Sequence, residues 1–175
     1  MTISMYQAAV PTAIREMNVL ASLLEKAAAH AEAKKIDPAA FVAARLFPDM
    51  FALAKQVQIA SDTAKIGVSR IAQVTPPSYE DNEATFAELI ERCRKTAAYL
   101  ETLKPAQLDG SEERVVTWST RTATRSMKAM PYLFSHVLPN IFFHVATTYA
   151  ILRHNGVELG KMDFLGKLDL IEPAA

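Results

Sequence analysis

The chain has 175 residues, half of them hydrophobic, which suits one domain (1–175) able to bury a core without disulfides or a structural metal. Its 19 basic residues balance its 19 acidic ones, so no summed field draws nucleic acid or an anionic membrane surface, and neither is an expected partner. No apolar run approaches the roughly 20 residues that cross a bilayer, the N-terminus lacks the order of a signal peptide, and a cytoplasmic location is expected.

Val10, Ile14, Met17, Leu20, Leu24 and Ala28 recur at three- and four-residue spacing, which predicts a first long helix over about 4–35. Pro11 implies either a kink or a helix start close to it. Asp37-Pro38 reads as the capped start of a short helix. A second long helix is expected from Pro48, with Phe51, Leu53, Ala54, Val57, Ile59, Ala60, Ile66 and Ile71 on its apolar face, and Pro76-Pro77 stop it. Asn82 or Thr85 can cap a third helix, Thr85 with Glu88 completing a capping box, and its buried stripe is Phe86, Leu89, Ile90, Cys93, Ala97, Leu100 and Leu103.

After Lys104-Pro105 the helical period disappears. Val115, Val116, Trp118 and the neighbouring threonines favour extended backbone, so a short β-hairpin or extended excursion is expected near 114–127, with Trp118 anchoring it on the helices. A fourth long helix opens at Pro139 and closes at Asn155-Gly156, where a left-handed cap fits. The tail from Val157 is expected to fold back, because Phe164, Leu165 and Leu168 are too apolar to leave in water. Four amphipathic helices in one small domain are most economically buried as an all-α four-helix bundle.

The single Cys93, in Glu-Arg-Cys-Arg-Lys, reads as an ordinary semi-buried cysteine rather than a reactive thiolate, since adjacent helical residues splay apart. Glu91-Arg92 and Glu112-Glu113-Arg114 read as solvated charge. On the last helix Asn140, His144 and Thr148 share a face; His136 is expected in the loop before it and His154 near the dipole at its end, so the histidines alone do not build a metal site. His30 reads as a polar residue near a helix end.

The run Leu138-Pro139-Asn140, Phe143-His144, Tyr149, Ile151-Leu152-Arg153-His154-Asn155-Gly156-Val157, then Leu159-Gly160-Lys161 and Asp163-Phe164-Leu165-Gly166, resembles an uncharacterised bacterial domain-of-unknown-function family within the DinB/YfiT-like superfamily. The resemblance implies an up-down-down-up bundle and a homodimer; Met5, Tyr6, Phe142 and Tyr149 are the apolar surplus expected to meet the partner. Metal-binding members of that superfamily use one histidine from helix two and a His-x3-His pair from helix four. His144 matches the second of the pair and Asn140 stands at the first; helix two has no histidine, and Asp49 is the nearest candidate, ahead of Gln56. Asp49, Asn140 and His144 could hold a divalent cation such as Zn, Ni or Mn. They could equally satisfy one another by hydrogen bonds, or line a pocket for an organic ligand. Two functions follow: a non-catalytic, homodimeric small-ligand-binding or stress-related protein with a degenerate metal site, or a metal-dependent transferase, isomerase or hydrolase acting on a small molecule or thiol.

Overall fold

In the computed structural model, which describes residues 3–120, 122–168 and 170, the elements are α1 (Met5–Lys34), α2 (Pro38–Val42), α3 (Leu53–Ala72), α4 (Phe86–Glu101), α5 (Pro105–Leu108), β1 (Val115–Ser119), β2 (Thr124–Lys128), α6 (Ala129–Tyr132), a π-helical turn (Leu133–Val137), α7 (Leu138–His154) and α8 (Lys161–Leu165). The long helices α1, α3, α4 and α7 form the bundle. Ser4 caps α1 reciprocally with Gln7, so the helix starts before Pro11 and carries that residue on its exposed side. The expected third-helix stripe, Phe86 through Leu103, is buried at every position.

Side-chain bonds give the helix directions. Glu25 pairs with Arg94 while Tyr6 meets Asp109 beyond the far end of α4, so α1 and α4 are antiparallel. Ser61 meets Thr96 and Ser69 meets Tyr99, so α3 and α4 run the same way. Gln56 reaches His144, whereas Gly67 lies against Val137, so α3 and α7 are antiparallel. With α1 packed on α4 and α7, and α3 on α4 and α7, the order is up-down-down-up. At Gly67 an added Cβ would sit 2.8 Å from the Val137 methyls, and that close approach is why glycine stands there.

Two neighbouring helices that run the same way need a connection about as long as themselves. Leaving α3 at Gln73, in left-handed backbone, the chain must travel back some 30 Å to the start of α4. Residues 73–85 form this strap, and polar side chains hold it down: Lys55 bonds Asp81, Gln58 bonds Glu83, and Lys65 lies 4.6 Å from the centre of the Tyr79 ring. Arg92 is its anchor. Only 2% exposed, its guanidinium donates to Asp62 (2.7 Å), Glu83 (2.9 Å), the Glu80 carbonyl (3.1 Å) and Ser61 (3.1 Å), and pairs with Asp81 at 3.1 Å. Arg92 is therefore not the solvated charge its Glu-Arg context suggests. Its place on α4 turns it towards α3 and under the strap.

The hairpin pairs Val115 with Lys128 through Ser119 with Thr124, as the extended excursion predicts. Trp118 packs 4.9 Å from Tyr132 and 5.2 Å from His136, centre to centre, and docks the hairpin on the bundle. His136 is thus in a π-helical turn continuous with α7, not in a loop. Beyond α7, Val157 and Leu159 are buried, Phe164 packs on Tyr149, Lys26 pairs with Asp163, and Arg15 donates to the Leu165 carbonyl. The tail folds back as expected, although Leu168 stays 39% exposed. Gly166, at φ +67°, closes it where any Cβ would meet Val19 at 2.7 Å.

Replacing Arg92 with Ala leaves Asp62, Asp81 and Glu83 without their shared cation. Unfolding in urea is expected to show a loss of about 3–5 kcal/mol. A loss under 1 kcal/mol would mean that the strap does not depend on this guanidinium.

Candidate functional site

α7 is apolar on nearly every side, and the buried face formed by Leu138, Ile141, Val145, Ile151 and Leu152 carries His144 into the seam with α3. His144 is 7% exposed, and its Nδ1 lies 2.7 Å from Oε1 of Gln56. Gln56, itself 2% exposed, donates from Nε2 to the Phe51 carbonyl at 3.1 Å. That second bond fixes the amide: Oε1 must accept, so His144 Nδ1 carries the proton and donates. Nε2 keeps its lone pair, has no hydrogen-bond partner among the described residues, and is not sealed from solvent.

Burial pushes the His144 pKa below its ordinary value and favours the neutral ring. The folded state then resists protonation, so this histidine's contribution to stability is present above its unfolded pKa near 6.5 and is lost as pH falls through that value and below it. Phe143 contacts the imidazole edge-on, with ring centres 5.1 Å apart, and Phe143, Phe51 and Phe47 are all more than half exposed. The site is a neutral, oriented imidazole in edge-on contact with the exposed ring of Phe143.

Of the residues expected beside His144, Asn140 lies one turn earlier on α7, is half-buried, and has no side-chain hydrogen bond among the described residues. Asp49 is exposed and lies in a turn before α3, because the helix begins at Leu53 instead of Pro48. The physical reason is local: Met50 N bonds the Phe47 carbonyl, Leu53 N bonds the Ala44 carbonyl, and Arg45 reaches the Pro48 carbonyl, so 44–52 closes as a compact turn that Pro48 cannot convert to helix. The hydrogen bond foreseen among Asp49, Asn140 and His144 is made instead between His144 and Gln56. Gln56 had the weaker claim in the sequence, yet it lies with Leu53, Val57 and Ala60 at helical spacing on the buried stripe, which Asp49 precedes.

Among the described residues no three His, Cys, Asp or Glu side chains gather as metal donors. Cys93 is fully buried and its thiol is pushed up to about 12, chiefly by desolvation, so it stays protonated and inert. His30 stacks edge-on against Phe41, and His154 ends α7.

The comparisons with known proteins agree with this architecture. Residues 5–165 match the family described as Domain of unknown function (DUF1993). A crystal structure of a DinB family member protein from Shewanella denitrificans is similar to this chain at 37% identity, covering 96% of this chain and 95% of that one, with a TM-score of 0.88. Among curated proteins nothing matches.

Replacing Gln56 with Glu puts a carboxylate against Nδ1 and stabilises the imidazolium. NMR titration of His144 is expected to give a value below 6.5 in the wild type and a rise of one unit or more, about 1–3 units, in the variant. An unchanged titration would show that residue 56 does not touch the ring.

Proposed function

The chain belongs to the DUF1993 family, and from that premise we propose that it is a non-catalytic, homodimeric small-ligand-binding protein, acting in stress response or regulation, in which the superfamily's metal position has been converted to a hydrogen-bonded histidine. The Gln56–His144 bond carries this reading. Where metal-binding relatives are expected to present three imidazoles, this seam offers one imidazole and the neutral amides of Gln56 and Asn140, and Asp49 stands exposed in its turn. With no carboxylate or thiolate among them, these donors do not fit a tightly held zinc, nickel or manganese ion. The bond to Gln56 also gives His144 a full structural reason to exist. The exposed ring of Phe143, edge-on to the imidazole, gives a small apolar molecule a surface to settle on beside it.

One observation favours the alternative of a metal-dependent enzyme acting on a small molecule or thiol. A histidine that donates from Nδ1 to a fixed carbonyl oxygen and keeps Nε2 free has the arrangement of a metal ligand with its outer support in place. On that reading His144 would be a ligand, Gln56 its orienting partner, and Asn140 and Asp49 weak oxygen donors. Elemental analysis of untagged protein, with zinc, nickel and manganese titrations, decides between them. No stoichiometric metal in the wild type, and a large gain of affinity in Gln56→His/Asn140→His that His144→Ala removes, are expected. Metal at one equivalent in the wild type would overturn the non-catalytic reading.

The homodimer rests on apolar surface. Of the residues first expected to supply it, Met5 is buried, Tyr149 is covered by Phe164, Tyr6 is half-buried, and only Phe142 remains notably open at 37%. The surplus lies at Met130, Phe134 and Phe142 along α6, the π-helical turn and α7, and at Ile3; Ile3, Met130 and Phe134 rim a groove of about 350 Å³. An apolar stripe of this kind is expected to meet its copy across a two-fold axis. Light scattering should find a dimer in the wild type and a monomer in Phe134→Glu; a wild-type monomer at high micromolar concentration would refute the pairing.

A further inference from the structure

At the end of the bundle where the hairpin docks there is a second cleft, of about 460 Å³, between the inward face of the hairpin and the π-helical turn. Its lining is Trp118, Thr120, Arg125, Ser126 and Met127 from the hairpin with Ser135 and His136 from the turn. One wall is aromatic: Trp118 and His136 stack at 27° with centres 5.2 Å apart, and Tyr132 lies behind both, 5.3 Å from His136. The other feature is positive charge without an acid to balance it. Arg125 stands directly across the hairpin from Trp118, on the same face of the two-stranded sheet, and is exposed. Neither it nor Arg70, which donates to the Tyr132 hydroxyl at 3.1 Å, pairs with a carboxylate among the described residues. No acidic side chain is among the lining residues named above.

We propose that this cleft binds a small planar aromatic carboxylate, with its ring against the Trp118–His136 wall and its carboxylate on Arg125 and the Ser135 hydroxyl. The volume fits one small ligand. Hydroxyls and a guanidinium at the mouth of an aromatic wall are the complement of a flat anion with one charged edge. The positive field is felt by the protein's own groups: burial first, then Arg70 and Arg125, hold the His136 pKa below its ordinary range, so the imidazole presents a neutral, stackable ring. The π-helical turn contributes the geometry, since its wider winding breaks the α-helical register just where His136 and Ser135 are presented to the hairpin. This cleft is distinct from the His144 seam, which lies roughly 10 Å further along the same helix, and it does not depend on whether that seam holds a metal.

Trp118 is the only tryptophan, so its emission reports on this cleft alone. Untagged full-length protein is titrated with benzoate and 2-naphthoate, and with benzamide as the uncharged isostere, following tryptophan fluorescence and, in parallel, calorimetry. Expected are a saturable change with the carboxylates, at least about tenfold weaker binding of the amide, and a similar loss in Arg125→Gln, because a charge-assisted bond is removed in each case. Arg125 is exposed, so the variant should keep the wild-type melting temperature. His144→Gln should bind as the wild type does, which separates this cleft from the seam. No saturable binding, equal affinity for benzamide, undiminished binding by Arg125→Gln, or loss of binding in a folded His144→Gln would each overturn the proposal.

Discussion

A buried guanidinium on α4 is the constraint from which the rest of this bundle follows. Arg92 gathers Asp62 from α3 and Asp81, Glu83 and the Glu80 carbonyl from the strap, with almost none of its own surface in water. Placing such a charge in the interior is costly unless every donor is engaged, and here it meets three carboxylates, a carbonyl and a hydroxyl. The attraction of its partners raises the Arg92 pKa despite the opposing effect of burial, so the group stays charged. Tyr79 adds its ring face at 5.4 Å.

That anchorage is what permits two sequential long helices to lie side by side and point the same way. A short turn between α3 and α4 would have made them antiparallel and moved α7 to a different groove. Because residues 73–85 return along the bundle, α4 starts at the end where α1 finishes, α1 closes against α4, and α7 drops into the remaining groove against α3. The Gln56–His144 bond exists only in that arrangement. The bond is made far from Arg92 in chemistry but is a consequence of the same crossover.

Much of the helical framework could be read directly from residue spacing. The α4 stripe from Phe86 to Leu103, the Thr85–Glu88 cap and the hairpin around Trp118 are local patterns, and local patterns carry their own evidence. The bundle's up-down-down-up order came from resemblance to a superfamily and not from periodicity, since amphipathic stripes do not say which helices are neighbours. Arg92 was unreadable for a related reason. A charged residue flanked by charges on a helix looks solvated until the strap that covers it is known. Asp49 and Gln56 show the same limit at the site: both precede or occupy the start of α3, and a compact turn over 44–52 decides which one faces α7. Pro139 reads as the opening of the last helix and so leaves His136 in a loop before it, yet a π-helical turn carries the chain into that helix without a break.

A three-histidine site and the Gln56–His144 pair make different demands on the same seam. Three imidazoles without a cation would leave nitrogen lone pairs facing one another, an arrangement that only a metal or protonation relieves. An amide in the helix-two position removes that requirement: its oxygen takes the imidazole proton, its nitrogen serves the Phe51 carbonyl, and both atoms of the amide are satisfied without any ion. The Gln56–His144 pair itself therefore needs no ion to satisfy its hydrogen bonds. What remains directed outward is the single lone pair of Nε2, held in place by the tautomer that Gln56 selects, beside the exposed ring of Phe143. A ligand that uses this position has to bring a hydrogen-bond donor with it, because the seam itself offers an acceptor and an apolar edge.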